Sequence, residues 1–310
     1  MDNMTAKGTF LCECTRSAFV AGNTVCMEFI WPGPAPRSGQ FFLIKPRRTG
    51  VFLSRPISVA GWKPRNNIAS GETNTHSADK NSSRRVKIER RKNPKGRIEI
   101  DRRLDIDRRF SSGGILRFLV LRQGQGSREL VDLRPGEEAE ITGPLGNSWK
   151  DASALVNFSE GTHDKAKSSI ALVGGGVGIA PLIAYALESG NKSYDFYAGF
   201  RTGSFGLEKI SPKFLIIATE DGSHGLKGKI LDFFAPTGYN MVFACGPEPM
   251  LKIIADSCIA SDVPCFISLE RHMACGVGAC MGCTVKTIHG NKRCCSEGPI
   301  FNGEEVVFES

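Results

Sequence analysis

Short apolar or β-branched runs dominate the first half of the chain, at residues 9–14, 24–30, 41–44, 115–121 and 138–142. Turn clusters such as Pro32-Gly33-Pro34 and Arg134-Pro135-Gly136 separate them. Apolar runs of strand length bounded by Gly and Pro predict short strands, and strands at this spacing predict an antiparallel barrel. From residue 168 the pattern changes. Runs at 170–173, 194–198, 215–218 and 241–244 predict strands, while 181–188, 229–234 and 249–260 predict helices. In the last helix Met250, Ile253, Ile254 and Cys258 share one face. Strand and helix in alternation imply a parallel, Rossmann-like α/β sheet. After Pro264 the chain reads as cysteine-rich and loop-like.

Residues 63–109 interrupt the barrel pattern. Positions 66–83 are polar and rich in Ser, Thr and Asn, too poor in apolar groups to offset the entropy of ordering. Positions 84–109 are strongly charged but carry Val86, Ile88, Ile98, Ile100, Leu104 and Ile106, a pattern that predicts an exposed hairpin. The sequence therefore divides into a barrel domain at 1–150 with a charged, partly disordered insertion at 63–109, an α/β domain at 168–264 and a small domain at 265–310.

Charge follows this division. The formal net charge is +8. The insertion holds 15 Lys+Arg and 7 Asp+Glu, so the remainder has 25 of each and is neutral. The basicity is local, and no nucleic-acid partner is expected. Residues 170–187 carry no charge, at the lower edge of membrane-spanning length. They contain Gly174-Gly175-Gly176, Gly178 and Pro181 and no flanking basic cluster, which predicts a strand, a glycine turn and a helix, with no membrane span. Residues 1–14 show no long apolar run and no cleavage pattern. With eleven cysteines this predicts a cytoplasmic chain whose thiols are reduced or ligate a metal centre.

The cysteines supply the first chemistry. Cys275, Cys280 and Cys283 have the spacing C-x4-C-x2-C, with Cys295 twelve positions on. This is the plant-type ligand spacing of a [2Fe-2S] cluster. Gly276, Gly278, Ala279 and Gly282 leave room for a loop that aims N–H groups at sulfur. Zinc usually takes two C-x2-C knuckles, and only one is present. Cys294 adjoins Cys295, but neighbouring side chains point apart, so one of the two ligates.

Two further motifs are weaker when taken singly. Gly174, Gly176 and Gly178 follow a strand and open a helix, which suits close approach to a pyrophosphate. Ile179 stands where a third Gly or Ala would complete the fingerprint. Arg55-Pro56-Ile57-Ser58 offers a fixed cation, a rigid backbone and a hydroxyl at a strand end.

In order, Arg55-Pro56-Ile57-Ser58, Gly124-Gln125-Gly126-Ser127, Gly143-Pro144-Leu145-Gly146, the Gly174 loop and Cys245-Gly246-Pro247 resemble the ferredoxin-reductase-type flavoproteins. The stretch from Leu269 to Cys280 and the run Cys295-Ser296-Glu297-Gly298-Pro299-Ile300-Phe301 narrow the resemblance to the electron-transfer subunit of NAD-dependent dihydroorotate dehydrogenase. It covers all but 63–109 and 153–167. The resemblance implies a barrel that binds FAD, an α/β domain that binds NAD and a C-terminal [2Fe-2S] domain. Arg55 and Pro56 would lie at the FAD phosphate, Ser58 at the flavin ring, and Gly126 and Ser127 at the diphosphate. The Gly174 loop would hold the NAD pyrophosphate, with Cys245 and Gly246 near the nicotinamide and Cys245 in a catalytic role. It further implies an FMN-containing dihydroorotate dehydrogenase partner in a heterotetramer serving pyrimidine biosynthesis. The partner's (β/α)8 barrel needs about 250 residues, for which this chain has no room. Alternative readings are a subunit of an NADH-dependent ferredoxin:NADP oxidoreductase or a sulfide dehydrogenase, whose first ligand is usually aspartate. A cluster-based redox sensor is the alternative without turnover. Arg201, after the second strand of the α/β domain, leaves NADH against NADPH open.

Overall fold

A computed structural model describes residues 8–47, 50, 52–65, 113–154, 170–190 and 194–309. The predicted hairpin at 84–109 lies outside the described residues.

Six antiparallel strands close the N-terminal barrel: β1 (Gly8–Ala21), β2 (Thr24–Trp31), β3 (Phe41–Pro46), β4 (Arg55–Pro64), β5 (Gly114–Leu121) and β6 (Glu138–Leu145), in the order β1-β2-β5-β4-β3-β6. Every second side chain points inward, and Phe29, Trp31, Phe42 and Phe118 fill the interior. Their rings meet edge to face, with Trp31–Phe42 centroids 5.1 Å apart and Phe42–Phe118 5.6 Å. Each such pair adds about 0.5–1.5 kcal/mol beyond burial.

β4 is longer than the strand end read around Arg55. The first half, 55–58, pairs with β3, and from Val59 onward it pairs with β5 across a register shift. Among the described residues no strand occupies the other edge of 55–58. Pro56 is tolerated because a residue without an N–H fits an unpaired edge. A short helix, α1 (Gln125–Val131), follows β5.

The α/β part has one seven-stranded sheet. Its strands are β7 (Ala171–Gly175), β8 (Asp195–Phe200), β9 (Leu215–Thr219), β10 (Leu226–Lys227), β11 (Val242–Cys245), β12 (Cys265–Ser268) and β15 (Ile300–Asn302), in the order β10-β9-β8-β7-β11-β12-β15. All neighbours are parallel except β15, which runs antiparallel to β12. β12 and β15 correct the loop-like reading of the C-terminal stretch. They were obscured because each is only three or four residues long. Between them lies the hairpin β13 (Thr284–Thr287) and β14 (Gly290–Arg293). The segment read as a helix at 229–234 is a 3-10 turn, Ile230–Phe233.

The uncharged run at 170–187 divides into β7, a 3-10 turn at Gly176–Gly178 and α3 (Ile179–Ser189), with α2 (Trp149–Ser153) preceding it in the chain. No described helix is long and apolar enough to cross a membrane. Trp149 locks the barrel to the sheet. Its ring stacks on Phe243 of β11 at 4.8 Å, and its Nε1 donates to the Pro181 carbonyl at 3.1 Å. α4 (Glu248–Ala260) follows β11 and covers the sheet with Leu251, Ile254, Ala255 and Cys258.

Candidate cofactor cleft and cysteine loop

The chain runs outward from β7 to β8 and β9 on one side, then returns to β11 and β12 on the other. The order therefore reverses between β7 and β11, and ligands of open α/β sheets bind at the carboxyl ends of such strands. Gly174 and Cys245 are register partners there. The two following loops touch backbone to backbone. A β-carbon on Gly178 would stand 2.7 Å from both the Cys245 carbonyl oxygen and the Gly246 α-carbon. One on Gly175 would meet Met250 Sδ at 2.7 Å. Gly176 has φ +56° and open space around it. The glycines are thus required by packing between the loops, and they leave a bare backbone facing the crevice.

A cleft of about 1300 Å³ joins this crevice to the open edge of β4. Of the residues singled out from the sequence, Arg55, Pro56, Ser58, Gly126, Ser127, Gly178 and Cys245 line it. Gly174, Gly176 and Gly246 are not among its lining residues.

Arg55 and α1 form the barrel wall. The Arg55 Nη1 donates to the Leu53 carbonyl at 2.9 Å, which aims the guanidinium across the start of α1. It lies against Gly126, where any side chain would overlap its Nε and Nη2. A guanidinium and the free N–H groups of a helical first turn together favour an anion such as a diphosphate. The Ser127 hydroxyl is engaged within its own turn. It accepts from the backbone N–H of Gln123 at 3.0 Å and Gly124 at 3.1 Å and donates to the Gly124 carbonyl at 3.0 Å. It shapes the turn, so the donors left for an anion are backbone N–H groups.

On the sheet side Cys245 is buried, and its thiol pKa is pushed well up, first by burial and then by the nearby charge of Glu270. It remains a neutral thiol. Glu248 and Arg271 close the wall with a bidentate ion pair, Nη1–Oε2 2.7 Å and Nη2–Oε1 3.2 Å. This pair and Glu270 escaped sequence reasoning. The motif from Leu269 to Cys280 contained two of them, but nothing in its spacing separated wall residues from loop.

The cysteines lie just behind the cleft. Ala274 and Gly282, each next to a cysteine, reach its lining. Among the described residues no three His, Cys, Asp or Glu side chains converge on a single-ion site. The sulfurs approach in two pairs instead, Cys275 with Cys280 and Cys283 with Cys295. Two pairs suit a two-iron core, with one pair for each iron. N–H groups surround the sulfurs: Cys280 donates to Cys275 Sγ at 3.4 Å, Gly278 to Cys295 Sγ at 3.1 Å and Cys295 to Cys283 Sγ at 3.4 Å. The donors around Cys275, chiefly Cys280 and Val277, bring its pKa down to about 6. The thiolate, the form of cysteine that ligates metals, is thereby favoured. Burial pushes Cys295 up to about 12, so a metal bound there would have to displace its proton.

Cys294 points elsewhere. Its thiol donates to the Leu269 carbonyl at 3.2 Å in the core. Gly276, at φ +68°, lets the loop rest on the barrel, since a β-carbon there would be 2.6 Å from Leu43 Cδ1 and 3.0 Å from Leu145 Cδ1.

Comparison with known proteins agrees with this geometry. The family model of the iron-sulfur cluster binding domain of dihydroorotate dehydrogenase B matches residues 270–307. The chain is 40% identical over 193 residues to the dihydroorotate dehydrogenase B (NAD(+)) electron transfer subunit of Clostridium acetobutylicum, covering 62% of this chain and 74% of that protein. It is 30% identical over 296 residues to the subunit of that name from Caldanaerobacter subterraneus, covering 93% and 94%. Among solved structures, a chain of the NADH-dependent reduced ferredoxin-NADP oxidoreductase superimposes with TM-score 0.65 at 24% identity, over 97% of this chain and 91% of that one. The ferredoxin reductase of carbazole 1,9a-dioxygenase gives TM-score 0.54 at 18% identity, over 83% and 67%. These two likenesses concern the fold.

Proposed function

The chain belongs to the family of dihydroorotate dehydrogenase B electron transfer subunits, and from that premise we propose how its residues carry the family's reaction. It is the electron-transfer flavoprotein subunit of an NAD-linked oxidoreductase of pyrimidine biosynthesis, with FAD, a [2Fe-2S] cluster and NAD as cofactors. FAD supplies the exchange between the two-electron chemistry of NAD and the single electrons that a cluster carries.

The observation that carries the assignment of residues is the single cleft between the barrel edge and the β7–β11 crevice, walled by the cysteine loop. Arg55 and the N–H groups at Gly126 and Ser127 would hold the FAD diphosphate. Pro56 keeps the edge of β4 unpaired, and Ser58 would face the flavin ring. Gly174, Gly176 and Gly178 give the NAD pyrophosphate a bare backbone, while Cys245 and Gly246 would back the nicotinamide. Cys245 would act there as a neutral, shape-filling thiol. Cys275, Cys280, Cys283 and Cys295 would ligate the cluster. Leu43 and Leu145, which seat the loop, belong to strands of the FAD barrel, so cluster and flavin would stand close together.

The electron transfer subunit implies a catalytic partner subunit. We assign it as the FMN-containing dihydroorotate dehydrogenase, in a cytoplasmic heterotetramer, docked where the cysteine loop is exposed. The test compares two activities of the assembled complex. With the cluster removed, NAD-coupled dihydroorotate oxidation should be lost while NADH–dye reduction persists, because only the first crosses the cluster. Coupling at full rate without the cluster would overturn the path.

A further inference from the structure

Arg271 is clamped on the cleft wall with one side of its guanidinium free. Its Nη1 donates to Glu248 Oε2 at 2.7 Å and to the Glu270 carbonyl at 2.9 Å, and its Nη2 donates to Glu248 Oε1 at 3.2 Å. A guanidinium has five N–H donors, of which these bonds use three. The two that remain are the Nε–H and the second Nη2–H, which lie parallel along one side of the plane. Among the described residues no acceptor meets either. Glu248 opens α4, where a carboxylate is favoured in the first turn, and this anchors the clamp. A long side chain that would otherwise sample many rotamers is thus held in one orientation. The two-donor fork left over belongs to a residue that lines the cleft.

Arg271 stands toward the ring end of the cleft in the assignment given above. β7, β11 and β12 are neighbours in the sheet, and their carboxyl ends lead in turn to the Gly174 loop, the Cys245-Gly246 turn and the segment holding Arg271. With the pyrophosphate over β7 and the nicotinamide over β11, β12 lies one strand further from the phosphates. On the barrel side Ser58 pairs with Phe41, and Phe41 with Leu145, the side chain on which Gly276 rests five residues after Arg271. The stem from Arg271 to Gly276 therefore meets the barrel beside the proposed flavin-ring position. No other Lys or Arg among the described lining residues stands at these strand ends. Arg55 belongs to the barrel wall, and Lys286 on the hairpin is paired with Glu309 at 2.9 Å.

We propose that the free fork of Arg271 binds the amide carbonyl of a redox ring in the cleft, an inference that rests on the reading of the cleft given above. Two groups carry that chemistry, the carboxamide of the nicotinamide and the pyrimidine edge of the flavin. Both present a carbonyl oxygen, and the flavin edge gains electron density on reduction. A fork already held in place loses little rotamer freedom on receiving such an acceptor, and its planar geometry selects for direction as well as charge. Glu248 neutralises the guanidinium while it fixes it, so the ring is met by directed donors rather than by a bare cation.

The test makes two equilibrium measurements on the holoprotein, without turnover. The first is the flavin midpoint potential in a dye-coupled titration free of nucleotide. The second is the Kd of NAD+, and of ADP-ribose, which lacks the nicotinamide, read from perturbation of the flavin spectrum. If the fork meets the flavin, Arg271→Gln should lower the ratio of reduced to oxidised flavin at a fixed potential roughly tenfold, or about 30 mV for a two-electron couple. If it meets the nicotinamide, Arg271→Gln should weaken NAD+ roughly tenfold and leave ADP-ribose unchanged. Arg271→Lys can still pair with Glu248 and should recover any loss of Tm, but a point charge has no second edge, so the shift should persist. Potential and NAD+ affinity both unchanged in Arg271→Gln, whatever its Tm, would reduce the pair to a brace and overturn the proposal. Equal weakening of NAD+ and ADP-ribose would move the contact to the phosphates and overturn it too, as would full recovery of the shifted quantity in Arg271→Lys. If the potential shifts but neither NAD+ nor ADP-ribose binds the wild type, the fork stands with the flavin as its ligand and the NAD reading of the cleft fails.

Discussion

The Arg55 guanidinium lies against the α-carbon of Gly126, so closely that residue 126 can carry no side chain without displacing it. One residue supplies charge and the other supplies room, and together they make the corner of the barrel proposed to hold the FAD diphosphate. Arg55→Ala removes a charge-assisted contact worth about 1.5–3 kcal/mol, and FAD retention on gel filtration should fall roughly tenfold or more. Gly126→Ala should weaken retention as well, by pushing the intact guanidinium away. The double variant should be no worse than the poorer single one, because both remove one contact. Additive losses would show that Gly126 serves FAD independently of Arg55.

Adjacent cysteines should behave oppositely. The Cys295 sulfur receives the Gly278 N–H within the cysteine loop, whereas Cys294 is turned to the Leu269 carbonyl. Cys295→Ser, like Cys275→Ser, should lose much of its iron on anaerobic purification. Cys294→Ser should keep two irons and two labile sulfides per chain, since a hydroxyl can still donate to Leu269. Equal iron loss in both would mean that the loop rearranges on loading. Stoichiometric zinc without sulfide in the wild type would remove the cluster altogether.

How far these sites could be read from sequence depended on whether spacing or packing defines them. The cysteine loop stood out in the sequence because the spacing of its proposed ligands is local. Its four sulfurs fall within residues 275–295 and their donors lie between them. Barrel strands with clear apolar runs were legible for the same reason. β4 was only glimpsed, because Pro56 and Gly61 interrupt its pattern and its pairing changes partner midway. β12 and β15 were lost because strands this short acquire meaning only from the neighbours they pair with. The Gly174 loop looked like an imperfect fingerprint. In the fold its glycines answer to Cys245, Gly246 and Met250, some seventy residues away, which no local motif encodes. The Ser127 hydroxyl went to its own turn because a backbone donor three residues back is always within reach. Glu270 carried no sequence signal, since its place on the cleft wall is set by the fold.

The upward shift that the walls of the cleft give the Glu270 carboxyl has a sign in stability. A carboxyl whose pKa is raised in the folded state binds protons more readily there than in the unfolded chain, so stability falls as pH rises through that interval. The penalty is absent below the unfolded carboxyl pKa of about 4.3 and full above the folded one. Glu270→Gln should therefore have a higher Tm than wild type near pH 8. The difference should shrink as the pH is lowered toward 5, where the wild-type acid is neutral more of the time. A Tm difference constant across that range would mean that Glu270, which is exposed on the cleft wall, ionises as an ordinary carboxyl.

The last prediction concerns what holds the cysteine domain to the barrel. Asn147, just beyond β6, bonds to the segment that follows Cys295 from both ends of its amide. Its Nδ2 donates to the Ile300 carbonyl at 2.8 Å and more weakly to the Glu297 carbonyl at 3.3 Å, while its Oδ1 accepts from the Ile300 N–H at 3.0 Å. Its backbone N–H donates to the Gly298 carbonyl at 2.7 Å. The side chain thus joins the barrel that would carry FAD to the strand leading out of the last ligand. Each bond contributes about 0.5–1.5 kcal/mol net, and Asn147→Ala also strands the buried Ile300 groups, so a loss of several degrees in Tm is expected. Asn147 is not among the residues that line the cleft, so the contents should stay near one FAD and two irons per chain. What should change is the passage between them. A loosened junction lengthens the gap, and electron transfer falls steeply with distance, so NADH-driven reduction of the cluster, followed by freeze-quench spectroscopy, should slow while NADH–dye reduction through FAD keeps its rate. Asn147→Asp, which retains the acceptor and loses the donor, should fall between. An Asn147→Ala protein with unchanged cluster reduction and unchanged Tm would show that Gly276, resting on Leu43 and Leu145, seats the loop without this amide.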